Sequence, residues 1–234
     1  MYYQLDTVTA VSDRLPATRE FDSQPLLPRQ QGGGKSKGDI FFDGAGGGNV
    51  IESDVTEGNI HFNGAGAANV LIKRGQRGDL VFRGAGLANV LVRSGDGEYL
   101  ARLLAYGNIS VQQGRGDSQV VMLGGYNTHT QIGDGNGLWL AGGGANVLTQ
   151  AGEGQLDAML VGGANVLTKL GAGQLTAGLL GGANVLTHIS QGDEAADTRA
   201  VLLGGANVLT KKGNGKVQAI LGGGRECADP DWPG

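Results

Sequence analysis

Two short runs of alternating apolar and polar residues, separated by glycine-rich turns, recur along most of this chain. In the unit beginning at Gly78 the first run is Leu80-Val81-Phe82-Arg83 and the second is Asn89-Val90-Leu91-Val92. A period of two is the pattern of a half-buried strand, so each unit predicts two strands. In the first run Ile40/Phe42, Ile60/Phe62 and Leu80/Phe82 alternate with the polar neighbours Asp39/Asp43, Asn59/Asn63 and Asp79/Arg83. That alternation puts an Ile/Leu ladder and a Phe ladder inside and the polar ladders in water. In the second run the central position is Leu71, Leu91, Leu148, Leu167, Leu186 and Leu209, but Ser110 and His129 in the middle of the chain. Its neighbours are Val, Ile or Thr, as in Val90/Val92, Ile109/Val111 and Val147/Thr149. Because the central position accepts Ser and His, it is expected to face outward, with the Val/Thr ladder inside. The six leucines would then form an outward stripe, a candidate contact surface for a membrane or a second repeat array.

The units have a fixed spacing. Gly-Gly-Ala-Asn-Val-Leu-Thr occurs letter for letter at Gly143–Thr149, Gly162–Thr168, Gly181–Thr187 and Gly204–Thr210. The asparagine falls at Asn49, Asn69, Asn89, Asn108, Asn127, Asn146, Asn165, Asn184 and Asn207, in steps of 20, 20, 19, 19, 19, 19, 19 and 23. A period near twenty is the mark of a solenoid, whose units bury a core only by stacking. The expected fold is therefore all-β: a single β-solenoid with two short strands per 19–20-residue coil, stacked in parallel, with irregular termini. Residues 1–37 read as an irregular lead-in, 38–97 as three 20-residue units, 98–224 as 19-residue units and 225–234 as an irregular tail. A four-residue insertion falls within Gly192–Asp197, at a turn, where it can bulge without breaking the stack. Phenylalanine gives way to small residues such as Ala158 and Ala177 in the later units, which predicts a thinner coil there. The nine asparagines are expected to form a structural ladder, since a carboxamide both donates and accepts and can bond its own copy in each neighbouring coil.

Composition narrows the chemistry. Glycine is 46 of 234 residues, and all five prolines lie outside residues 38–224, which suits unbroken strand pairing. The net charge of −4 carries no basic stripe for nucleic acid. The single cysteine, Cys227, excludes an internal disulfide framework. No apolar run is long enough for a membrane helix, and the start Met1-Tyr2-Tyr3-Gln4-Leu5-Asp6 lacks the n- and h-regions of a Sec signal. His61, His129 and His188 lie in different coils, and no serine stands in a nucleophile elbow. No catalytic residue, metal site or cofactor is therefore assigned, and the chain is not read as an enzyme. Two other functions remain open. Acidic turn residues such as Asp96, Asp134 and Glu153 could serve a calcium-binding repeat module, although they do not recur from coil to coil. The turns Arg77-Gly78-Asp79 and Arg115-Gly116-Asp117 could serve a cell-surface adhesin.

The 20-residue units with Gly-Ala-Gly-x-Ala-Asn, followed by 19-residue units with Gly-Gly-Ala-Asn-Val-Leu-Thr-x-x-Gly-x-Gly, resemble the N-terminal A and B repeats of multifunctional-autoprocessing repeats-in-toxin (MARTX) toxins, best known from Vibrio. The stretch Leu100–Gln131, with Leu103-Leu104-Ala105-Tyr106-Gly107-Asn108 and Gly124-Gly125-Tyr126-Asn127-Thr128-His129, is similar beyond the repeat consensus. The resemblance covers residues 38–224 and breaks off inside a B-type unit, as in a truncated array. It implies a non-enzymatic, glycine-rich segment of a secreted toxin, associated with the host plasma membrane or with other repeat arrays, and supporting effector translocation and pore formation in virulence. No type I secretion signal is recognised in the chain. Self-association is expected through its C-terminal coil.

Overall fold

The computed structural model describes residues 7–9, 38–54, 56–190, 196–223 and 226–228. Nine coils follow one another: β2 (Ile40–Ser53), β3 (Ile60–Arg77), β4 (Leu80–Asp96), β5 (Tyr99–Gln113), β6 (Ser118–Ile132), β7 (Gly137–Ala151), β8 (Leu156–Leu170), β9 (Leu175–Ile189) and β10 (Thr198–Lys212). Each pairs in parallel with the next, and equivalent residues stand opposite one another, as in Asn146↔Asn165 and Leu148↔Leu167. The result is a parallel β-solenoid of about nine turns, and no helix occurs among the described residues.

Every coil is one extended path bent at a corner. Between β7 and β8 the pairing runs from Gly137↔Leu156 to Gly143↔Gly162, skips one residue, and resumes at Ala145↔Ala164. The skipped residue changes the parity of the alternation. In β8 the inward side chains before the corner are Leu156, Ala158 and Leu160; after it they are Asn165, Leu167 and Lys169. Thus the two predicted strands are present, joined through Gly-Gly-Ala without leaving the sheet. The opposite edge of the coil is a Gly-x-Gly turn. Gly173 there has φ +96°, and a Cβ on it would lie 2.2 Å from the Gly154 carbonyl oxygen, so only glycine fits.

The second strand faces the other way from the sequence expectation. Leu71, Leu91, Leu148, Leu167 and Leu186 are fully buried and Leu209 nearly so, whereas Val147 is 43% exposed and Ile109 48% exposed. The leucines are core, not an outward stripe. Ser110 and His129, which suggested an outward position, are themselves buried and are held by polar partners inside the coil. The thinner later coils are also not required. Where Phe62 and Phe82 fill the coil, the next inward residues are Gly64 and Gly84, on which a Cβ would collide with the ring. Where Ala158 and Ala177 replace phenylalanine, Leu160 and Leu179 replace the glycine, so volume is exchanged between adjacent columns.

Both ends gain a short strand within stretches expected to be irregular. β1 (Thr7–Thr9) pairs with Gly48–Val50, and β12 (Glu226–Ala228) pairs with Asn207–Leu209 beside β11 (Val217–Gly223). An end coil has an unpaired row of backbone groups, and an extended neighbour completes it. Glu226 takes the register position of the next asparagine. The rest of both stretches and the insertion at 191–195 lie outside the described residues, and beyond the insertion the register resumes at Leu175↔Thr198.

The face assignment has a direct consequence. Leu148→Ala is expected to cost about 2–5 kcal/mol, while Val147→Ala, one residue away, stays within about 0.5–1 kcal/mol. Denaturant melts of the two variants measure the difference.

Candidate functional site

Two inward columns, one inward polar layer and two outward surfaces carry the chemistry. The first column is the asparagine spine. Asn49, Asn69, Asn89, Asn108, Asn127, Asn146, Asn165, Asn184 and Asn207 are all buried. Each of the first eight donates from Nδ2 to Oδ1 of the asparagine in the next coil, at 2.8 Å from Asn49 to Asn69 and again at 2.8 Å from Asn184 to Asn207, and Asn207 donates to the Gly222 carbonyl at 3.0 Å. The other amide hydrogen goes to the backbone just before a corner: Asn165 Nδ2 lies 3.0 Å from the Leu180 carbonyl and Asn146 Nδ2 lies 3.2 Å from that of Val161. The ladder thus supplies a donor where the strand pairing is interrupted. The corner glycine leaves room for it, since a Cβ on Gly181 would lie 2.8 Å from Asn165 Nδ2.

The second column stands four residues after the asparagine and was missed by sequence reasoning. It contains Lys73, Arg93, Gln112, Gln131, Gln150, Lys169 and His188, all buried. Lys73, Arg93 and the glutamines donate to carbonyls of the Gly-x-Gly edge, whereas Lys169 Nζ donates to Gln150 Oε1 at 2.9 Å and His188 Nδ1 meets the Thr198 hydroxyl at 2.7 Å. Lys73 Nζ is 2.8 Å from the Gly58 oxygen, Arg93 is 2.8 Å from the oxygens of both Gly78 and Gly97, and Gln150 Nε2 is 2.9 Å from that of Gly135. Burial pushes Lys73 down to about 8, helped by the positive charge of Arg93, and burial alone pushes Lys169 down to about 8. The available signal was parity, because this position shares a face with the asparagine and holds a long hydrogen-bonding side chain in nearly every coil.

The third feature is a polar layer inside β5–β7. Tyr99 and His129 both bond the Ser110 hydroxyl, and Trp139 Nε1 donates to Ser118 Oγ at 2.8 Å. Ser118 in turn donates to Gln131 Oε1 at 2.8 Å. The His129 ring meets Trp139 edge to face at 4.6 Å. Where the leucine column becomes Ser and His, the facing columns supply Tyr99, Ser118 and Trp139 as partners. Burial holds His129 down at about 3. His188 is held at about 4 by burial and then by the charges of Lys211 and Lys169.

On the outside, the turn residues form a second ladder. Asp79 Oδ1 accepts the Glu98 amide at 2.9 Å, and Asp117 Oδ1 accepts the Asn136 amide at 2.9 Å. Both Arg-Gly-Asp aspartates are therefore tied to the backbone of the following coil. Asp96 and Asp134 do the same for Arg115 and Glu153. Among the described residues no group of three or more His, Cys, Asp or Glu converges.

The other outward surface is aliphatic and lies on the first strand. Leu104, Leu123, Leu140, Met159, Val161, Val201, Leu203 and Ile220 are exposed there. It replaces the expected leucine stripe as the surface open to a partner.

The chain matches the RtxA repeat family over residues 44–61, 64–81, 84–98, 122–136, 141–155, 161–174, 180–196 and 203–216, together more than half its length. It is 54% identical over 56 residues to the multifunctional-autoprocessing repeats-in-toxin of Vibrio cholerae serotype O1. It is 53% identical over 56 residues to the protein of the same name from Vibrio vulnificus. The matched stretch is 24% of this chain and 1% of either relative. No solved structure matches the chain.

The buried imidazoles set a pH dependence. Both histidines are neutral in the fold and bind a proton once unfolded, near the ordinary value of 6.5. Stability is therefore fully present above about pH 6.5 and falls as the pH drops towards 4 and 3. At pH 4.5 the loss is roughly 2–3 kcal/mol for each histidine. Replacing each by its column's usual residue, as His129→Leu and His188→Gln, should flatten the fall in melting temperature between pH 7 and 4.5. An unchanged slope would contradict the assignment.

Proposed function

We propose, for a chain that belongs to the RtxA repeat family, that it is a non-enzymatic repeat segment of a secreted toxin, which lies against the host plasma membrane and supports the passage of effectors. The family match supports the toxin-repeat part of this reading. The membrane part rests on one observation: the outer face of the first strand is aliphatic over successive coils, from Leu104 and Leu123 through Leu140 and Met159 to Val201 and Leu203. Inside a solenoid these positions have no packing role, since the core is already filled by the inward columns. An aliphatic face repeating at the coil rise of about 4.8 Å forms a flat strip, suited to lying on a bilayer or on another array. An open sheet edge cannot face hydrocarbon, so a single rod binds at the surface, and any pore needs several arrays.

Liposome flotation tests this reading. Four substitutions, Leu140→Ser, Met159→Ser, Val201→Ser and Leu203→Ser, remove outward side chains only. At about 1 kcal/mol for each partly exposed aliphatic group, they should lower the bound fraction at least tenfold. Equal flotation of both proteins, or none by the wild type, would overturn the membrane role of this face.

A further inference from the structure

The corner of the coil is nearly always glycine or alanine, but three successive coils break that rule. Leu87 in β4, Tyr106 in β5 and Tyr126 in β6 replace the small corner residues and are 68%, 65% and 58% exposed. The corresponding positions elsewhere are Ala67, Gly144 and Gly163 for Leu87 and Tyr106, and Ala145 and Ala164 for Tyr126. Tyr106 and Tyr126 pack edge to face with ring centroids 5.5 Å apart. Leu104 and Leu123 stand just before the corner and Ile109 just after it, all exposed. A smooth glycine edge is thus raised locally into an aromatic and aliphatic ridge.

The charge around the ridge has one sign. Residues 80–94, 99–113 and 118–132 contain no aspartate or glutamate. Arg83 and Arg102 are exposed, stacked in register, and share the outer face with Leu104. The nearest carboxylate in their column is Asp43, two coils from Arg83 and turned to Asn63. The acids of these coils, Asp79, Asp96, Glu98 and Asp117, lie at the opposite, Gly-x-Gly edge. Tyrosine has an apolar body and a polar tip, which suits the headgroup level of a bilayer. A guanidinium pairs with phosphate in a fixed fork geometry. A convex ridge presents these groups outward, where a flat lipid surface can be reached.

We propose that this ridge is an anchor for anionic lipid, with Tyr106, Tyr126 and Leu87 entering the headgroup layer and Arg83 and Arg102 pairing with lipid phosphates. The assignment rests on the membrane reading above and narrows it to one edge of three coils and one lipid class. It gives the rod a defined orientation, with the corner edge down and the acidic turn edge away from the membrane.

The experiment is flotation with vesicles of phosphatidylcholine alone and with vesicles containing about one-third phosphatidylserine. Three proteins are compared: the wild type; Leu87→Ala, Tyr106→Gly and Tyr126→Ala together; and Arg83→Gln with Arg102→Gln. Each corner replacement is a residue other coils carry at the same place, so the fold is retained, and the β-type circular dichroism spectrum checks it. The wild type should bind anionic vesicles at least tenfold more tightly than neutral ones. The corner variant should lose binding to both by at least tenfold, and the arginine variant should lose only the anionic preference. Wild-type binding that is indifferent to lipid charge, or variants that bind as the wild type does, would overturn the ridge while leaving the membrane reading intact. A wild type that floats with neither vesicle would overturn both.

Discussion

Parallel stacking in register makes every position of the coil a column, and a column must be compatible with a copy of itself about 4.8 Å away. The rest of the structure depends on this constraint. A carboxamide satisfies it because its N–H can reach the oxygen of its own copy, which is how the nine asparagines form one directional ladder. Phenylalanine satisfies it by ring stacking, as in Phe62 on Phe82 at 4.6 Å. Buried cations satisfy it least well. Lys73 and Arg93 are neighbours in one column, and the fold keeps them by giving each a set of turn carbonyls. Like charges in a column raise its energy, so glutamine occupies the same place in the three coils that follow Arg93.

Much of this was legible in the chain. The asparagine spacing and the alternation of Ile60/Phe62 and Leu80/Phe82 led directly to a parallel solenoid and to the first-strand faces. The second strand departs from the expectation because Ser110 and His129, taken one residue at a time, are polar and hence outward. Parity gives the opposite answer: a ladder of inward asparagines at 165 carries Leu167 and Lys169 with it. What the local pattern could not supply was the compensation across the coil. Ser110 is tolerable inside because Tyr99 faces it within the coil and His129 bonds it from the next, and the first of these pairings joins two strands on opposite sides of a corner. The exchange of Phe82 and Gly84 for Ala101 and Leu103 is the same kind of fact, since neither column explains itself alone.

The correction moves the candidate surface without removing it. With the leucines committed to the core, the outward aliphatics are those of the first strand, and the polar layer of β5–β7 includes β5 and β6, the coils that carry the tyrosine corner. Those coils depart most from the repeat inside and outside alike. A long stack of equivalent units can slip by one coil, and a layer whose partners are unlike those of its neighbours opposes that slip. Distinct coils therefore fix register in the middle of the rod and also place unlike side chains on its surface.

The central claim is that buried asparagines bond one another from coil to coil. Hydrogen exchange of the asparagine side-chain amides, resolved by NMR, tests it most directly. The account predicts that the Nδ2 hydrogens of Asn127, Asn146 and Asn165 exchange at least a hundredfold more slowly than those of the exposed Asn136. Exchange of the three at the rate of a free carboxamide would contradict the ladder and, with it, the inward placement of the columns that share its face.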